Sequence, residues 1–200
     1  MIFNKHIVGI DLDNTIAIYD KLIRNQVNLL NVPIEFISKK SISDYLRSIG
    51  SNDEWTKLQG LIYGPLMDYA EVANGFLDTL GELIERNFEI IIISHRTNYS
   101  EYDGLYDLHY FANKWIEKNI VSISGKNKIK KIIFAESIEQ KIECISRENI
   151  TYFIDDLPKI LNHVKFPKNT KKILYSSEID VGSYFLQTNN WGELKNLLVK

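Results

Sequence analysis

Three apolar runs in this chain end in side chains that handle charge. Residues 6–15 read HIVGIDLDNT and stop at Asp11, Asp13 and Thr15. Residues 88–97 read FEIIIISHRT and stop at Ser94, followed by His95, Arg96 and Thr97. Residues 151–158 read TYFIDDLP and stop at Asp155 and Asp156, just before a proline suited to the first turn of a helix. In an open α/β sheet the crevice beyond the strand ends is where loops converge, so polar groups delivered there are offered to a ligand. Asp11 and Asp13 share a direction only if the chain stays extended, and a sharp turn after Asp11 gives them different tasks. Four carboxylates brought together repel one another unless a cation sits among them. Hard oxygen ligands without a nearby thiolate or a histidine-rich spacing favour Mg²⁺ over zinc.

The elements that must carry these residues follow from the rest of the pattern. After residue 73 apolar runs alternate with helical periodicity. Helices are expected near 75–86, 107–119, 138–148, up to His163 and around 191–199, with further strands at KKIIFAES and KKILYSS. Strands alternating with helices predict an α/β fold, a doubly wound parallel sheet of Rossmann-like form. Residues 16–72 differ. Helical patterns at 21–30, 41–49 and 53–63, broken at Pro33 and at Gly50-Ser51, contain nothing that reads as a sheet strand, so a small helical insertion after the first strand is expected. The expected division is a core of residues 1–15 and 73–200 and an insertion of residues 16–72.

Composition excludes several classes of function. Two hundred residues bury one good core and a small accessory domain. A net charge of −2 gives no basic face for bulk nucleic-acid binding, so no nucleic-acid partner is expected. One cysteine, Cys144, excludes an internal disulfide and a cysteine-based zinc site, and its helical surroundings read as core packing. No window approaches a membrane span, and the opening residues carry too short an apolar stretch for a signal peptide. A cytoplasmic protein with no membrane partner is expected.

Asp11-Leu12-Asp13-Asn14-Thr15 resembles the DxDxT first motif of the haloacid dehalogenase (HAD) superfamily of phosphotransferases. Ser94 after its isoleucine run resembles the second motif, and Asp155-Asp156 the acidic fourth. The third is a lysine at the start of the helix before the fourth-motif strand. Lys141 in EQKIECISRENITYFIDD is the best match, with Lys126, Lys128, Lys130 and Lys131 as alternatives reached by a different helix boundary. The resemblance implies an aspartyl-phosphate mechanism with Asp11 as nucleophile and Asp13 as general acid and base. It implies Ser94 and Lys141 on the phosphoryl oxygens, and Mg²⁺ held by Asp11, the backbone carbonyl of Asp13 and Asp156, with Asp155 beside it. Residues 16–72 would then be a C1-type cap closing over the site. Tyr19 and Arg24 at its start, and His95, Arg96 and Thr97 after the second motif, are candidate substrate contacts.

The expected substrate is a small phosphorylated metabolite. IDDLP and the small insertion resemble the deoxynucleotidase branch. The stretch SHRTNYSEYDGLYDLHYFANKWI departs from that branch and is closer to HAD phosphatases of bacterial surface-sugar synthesis. A sugar phosphate ranks first and a (deoxy)nucleoside monophosphate, hence a 5′-nucleotidase, second. A phosphate-binding or scaffolding module that has lost turnover is the reading from another class, since fold does not fix function.

Overall fold

A computed structural model of the chain describes residues 6–27, 33, 39–125, 128–177 and 185–198. In chain order the strands are β1 (Ile7–Ile10), β2 (Ala17–Ile18), β3 (Glu71–Val72), β4 (Glu89–His95), β5 (Lys131–Ala135), β6 (Tyr152–Asp155), β7 (Lys171–Tyr175) and β8 (Leu186–Thr188). The helices are α1 (Asp20–Val27), α2 (Lys39–Ser48), α3 (Asn52–Tyr63), α4 (Phe76–Glu85), α5 (Leu108–Ile116), the single turn α6 (Ser122–Ser124), α7 (Ile138–Arg147), α8 (Pro158–Leu161) and α9 (Trp191–Leu198).

The main sheet has six strands in the order β5-β4-β1-β6-β7-β8, every neighbouring pair parallel. This is the expected α/β fold. A parallel sheet covered on both faces needs apolar side chains in both directions, and Ile90, Ile91, Ile92 and Ile93 of β4 are all fully buried. On one face Ile91, Ile93 and Phe153 meet Ile142 and Ile145 of α7 and Ile160 and Leu161 of α8. Cys144 belongs to the same cluster, as its helical position implied. Ile10 is in register with Ile92 on one side and Ile154 on the other, so the carboxyl ends of β1, β4 and β6 reach one edge together. The close approach of β1 to β6 needs Gly9, since a Cβ there would lie 2.7 Å from Cδ2 of Phe153.

Contacts divide the chain into two units. One comprises residues 1–17, 72–96 and 118–200 and holds the sheet; the other comprises 18–71 and 97–117. The sequence reading placed 97–117 with the core, and the structure groups it with 18–71. The Trp115 indole donates to the carbonyl of Ala70 at 3.0 Å, and Tyr106 lies so close to Gly64 that a Cβ there would meet its own Cβ at 3.1 Å. Periodicity shows that a helix has an apolar face and does not show what that face meets. The same region holds a second departure: β2 and β3 pair as a two-stranded sheet inside residues 16–72, where no strand was expected. Two-residue strands are too short to register as an alternating pattern. β8, also unanticipated, is only three residues long. The expected helix over 21–30 is helical through Val27; its last residues lie outside those described.

Candidate active site

The chain turns sharply after Asp11. The backbone N–H groups of Ile16 and Ala17 both donate to the carbonyl of Leu12, at 3.0 and 2.8 Å, and Asn14 takes a left-handed conformation (φ 58°) that Asn tolerates better than most residues. The Trp191 indole of α9 donates to the carbonyl of Thr15 at 3.1 Å and pins this turn. Asp11 and Asp13 therefore have different surroundings, which an extended chain would not have given them.

Asp11 is buried, and its backbone N–H donates to the carbonyl of Ile154 at 2.9 Å, which holds it against β6. Its carboxylate receives the Lys141 ammonium at 2.5 Å, and the same ammonium donates to Asp155 at 2.7 Å. Lys141 lies in the first turns of α7, a helix capped by Ser137, whose hydroxyl accepts from the backbone N–H of Gln140 at 3.1 Å. The side chain of Lys141 is 1% exposed, unlike the solvated lysines of most helices. Lys130 and Lys131 pair with Glu89 and Glu148, and Lys126 lies outside the described residues. Among the described lysines weighed from the sequence, Lys141 is the one paired with Asp11 and Asp155.

Burial, first, pushes the Asp11 carboxyl well above the ordinary carboxylate range. Lys141 opposes that push, while Asp155, Asp156 and Asp13 reinforce it. For Lys141, burial works against the ammonium, but Asp11 and Asp155 outweigh it and raise its pKa above the ordinary lysine value. One ammonium thus does not offset the negative charge gathered here. Asp11, Asp155 and Asp156 each offer an oxygen within 4.8 Å of one another. A buried, all-oxygen set with surplus negative charge fits a divalent cation. Asp155 and Asp156 are not equivalent: Asp155 is fully buried and also accepts from the backbone N–H of Leu157 at 2.9 Å, whereas the half-buried Asp156 accepts from the Asn14 amide at 3.4 Å.

Asp13 meets a different set of groups. The hydroxyl of the buried Ser94 donates to one of its oxygens at 3.2 Å, and the guanidinium of Arg96 pairs with the other. His95, between them, is exposed. Tyr19, Arg24 and Thr97 belong to the other unit. There Tyr19 is fully buried edge-on against Tyr63, with ring centroids 5.1 Å apart, and Arg24 is exposed and donates to the carbonyl of Asp20 on its own helix.

The fold is shared with known proteins. The chain has the fold of HAD-superfamily hydrolases. One such hydrolase, from Ehrlichia chaffeensis, superposes with a TM-score of 0.53 at 16% identity, covering 98% of this chain and 97% of its own. A dehalogenase solved as an intermediate complex gives 0.62 at 12% identity over the whole of both chains. A Bacillus subtilis protein described as a HAD-hydrolase bound to magnesium gives 0.57 at 11% identity, covering 97% and 98%. No family model and no curated protein matches the sequence.

Proposed function

We propose that this chain is a phosphomonoester hydrolase of the HAD type, working through an aspartyl-phosphate on Asp11. The observation that carries this reading is the contrast between two aspartates two residues apart: Asp11 buried on an ammonium, Asp13 partly exposed and held by Ser94 and Arg96. Halide leaves carbon without a proton, whereas an alkoxide leaving phosphorus needs one, so a second carboxylic acid beside the nucleophile favours phosphate esters over haloacids.

In this reading the Asp11 carboxylate attacks phosphorus and the bond from phosphorus to the ester oxygen breaks. Asp13 gives its proton to that departing oxygen. Water then attacks the phosphoryl group on Asp11, Asp13 takes its proton, and the Asp11 carboxylate is released with inorganic phosphate. Lys141, beside Asp11, stabilises charge on the phosphoryl oxygens, while the single hydroxyl proton of Ser94 is held on Asp13. Asp11, Asp156 and Asp155 would hold Mg²⁺, which when bound offsets repulsion between the anionic nucleophile and the anionic ester. Residues 18–71 with 97–117 are assigned the role of a specificity-setting cap. The substrate is taken to be a sugar phosphate, on the sequence resemblance described above. Among the described residues no helix is long and apolar enough to cross a membrane.

The test is a panel of sugar phosphates, nucleoside monophosphates and other phosphorylated metabolites, assayed for phosphate release with and without Mg²⁺, with a haloacid assayed for halide release. Phosphate release from one class of ester, dependent on the metal, is expected. Halide release alone would replace the phosphatase reading with a dehalogenase. A second expectation concerns the metal itself. A ligand that binds the native state raises the melting temperature by about 2.7 kcal/mol of stabilisation at a hundred times its Kd. Mg²⁺ titrated against melting temperature should give such a rise. Asp156→Ala should blunt it more than Asp155→Ala, whose carboxylate is already committed to Lys141 and Leu157.

A further inference from the structure

Arg96 was read from the sequence as a cation that could reach a second anionic or hydroxyl group of the substrate. The structure commits it elsewhere. Its side chain is 3% exposed, and its guanidinium lies on the carboxylate of Asp13, whose own side chain is 20% exposed. The backbone N–H of Arg96 donates to the carbonyl of Ala135 at 2.8 Å, so the β4–β5 ladder continues one residue past β4 and fixes where Arg96 starts. Residues i and i+2 of an extended chain face the same way. Ser94 and Arg96 are such a pair, and they grip the two oxygens of one carboxylate, Ser94 on Oδ2 and Arg96 on Oδ1.

From this geometry we propose that Arg96 is a positioning residue for Asp13: with Ser94 it fixes the plane of the Asp13 carboxylate in which proton transfer takes place. The carboxylate of an aspartate rotates freely about its last bond, a broad torsion with little preference of its own. Donors on both oxygens remove that freedom. The partial exposure of Asp13 leaves it a side that can meet the ester or the incoming water. Arg96, buried beside it, acts through Asp13 and not on the substrate.

The proposal rests on the phosphatase reading, and the experiment separates the two. Wild type, Arg96→Met, Arg96→Lys, Asp13→Asn and the double variant Arg96→Met with Asp13→Asn are compared on two probes. One is the best alkyl ester of the panel, whose departure needs a proton. The other is p-nitrophenyl phosphate, whose leaving group departs without one. Loss of orientation of about 1 Å costs roughly a hundredfold, so Arg96→Met should lower kcat for the alkyl ester by about that factor, with KM within about threefold. Phosphoenzyme formation from the aryl ester, followed by rapid quench, should stay within about threefold, because that step needs no acid. Arg96→Lys, which keeps the charge without the planar fork, should recover about tenfold.

The deciding comparison is the double variant. Residues that act as one unit lose additivity, so with Asp13→Asn already present, removal of Arg96 should cost less than about threefold more. Full additivity, or a raised KM with kcat kept, would overturn the positioning role and return Arg96 to a structural or substrate-binding one. If Arg96→Met does not fold, which a melting curve reveals, Arg96→Lys decides: its loss must likewise vanish in the Asp13→Asn background. A wild type without phosphate release, or an Asp11→Asn variant with full turnover, would bring down the phosphatase reading first and this proposal with it.

Discussion

Asp11→Asn should abolish phosphate release while leaving the fold standing. The amide keeps the shape of the carboxylate and cannot form the acyl phosphate, so turnover should fall by about a thousandfold or more, roughly 4 kcal/mol of barrier. Stability moves differently. Because burial raises the Asp11 pKa, the folded protein disfavours the charged form of this group, and at neutral pH that charge is a cost that the amide removes. Against this, Lys141 loses one of its two carboxylate partners and keeps Asp155. The two changes oppose each other, so the melting temperature should shift little. Turnover measured beside a thermal melt checks both halves. A variant that melts normally and still turns over would remove Asp11 as nucleophile.

Lys141→Met should be the most destabilising substitution in the site. It leaves Asp11 and Asp155 buried without the ammonium that joins them, and breaking a buried pair from one side costs about 3–5 kcal/mol. The pH dependence has a definite sign. The raised pKa of Lys141 means that its contribution is present below the ordinary lysine pKa and is lost only as pH rises through the raised value. At the acid end the Asp11 carboxyl, raised by burial, protonates, so the deficit of the variant should shrink as the solution is acidified. Chemical denaturation of both proteins across that range measures the difference. A deficit that does not change with acidification would mean that the side chain stabilises by packing alone. Mg²⁺ should rescue the variant more than it stabilises wild type, since the three carboxylates then face it without competition from the ammonium.

Much of this arrangement is legible in the sequence for a simple reason. Parallel strands buried on both faces read as uninterrupted apolar runs, and IIII before Ser94 or YFI before Asp155 leaves little doubt about where the strand stops and what it delivers. The candidate site residues therefore stood out, with Lys141 among several candidate lysines. The pairing of those groups was less visible. Ser94 and Arg96 converge on Asp13 only because the β4–β5 ladder runs one residue past the end of β4, and no spacing rule reports that a guanidinium turns inward. Arg96 was accordingly read as facing the substrate. The two acids at 155 and 156 look identical in sequence, and only the backbone N–H of Leu157 and the Lys141 ammonium single out the first. The contacts that group 97–117 with 18–71 were hidden for the same kind of reason: α5 is an ordinary amphipathic helix, and its partners, Ala70 above all, lie far away in the chain.

The middle of the sheet is completed only late in synthesis. β1 is made before the other strands of the sheet, yet its two neighbours begin at Glu89 and Tyr152. A growing chain can give β1 one partner only after some 80 residues and the second only after some 140, as the pairs Ile10–Ile92 and Ile10–Ile154 require. Until then its other edge offers unpaired backbone groups to any passing strand. Asp11 likewise waits for its counter-charge, since Lys141 on α7 is made only shortly before β6. Nascent chains arrested between β4 and β6 should therefore be the aggregation-prone species, and folding should be slow for a domain of this size because its central pairings are so distant in sequence.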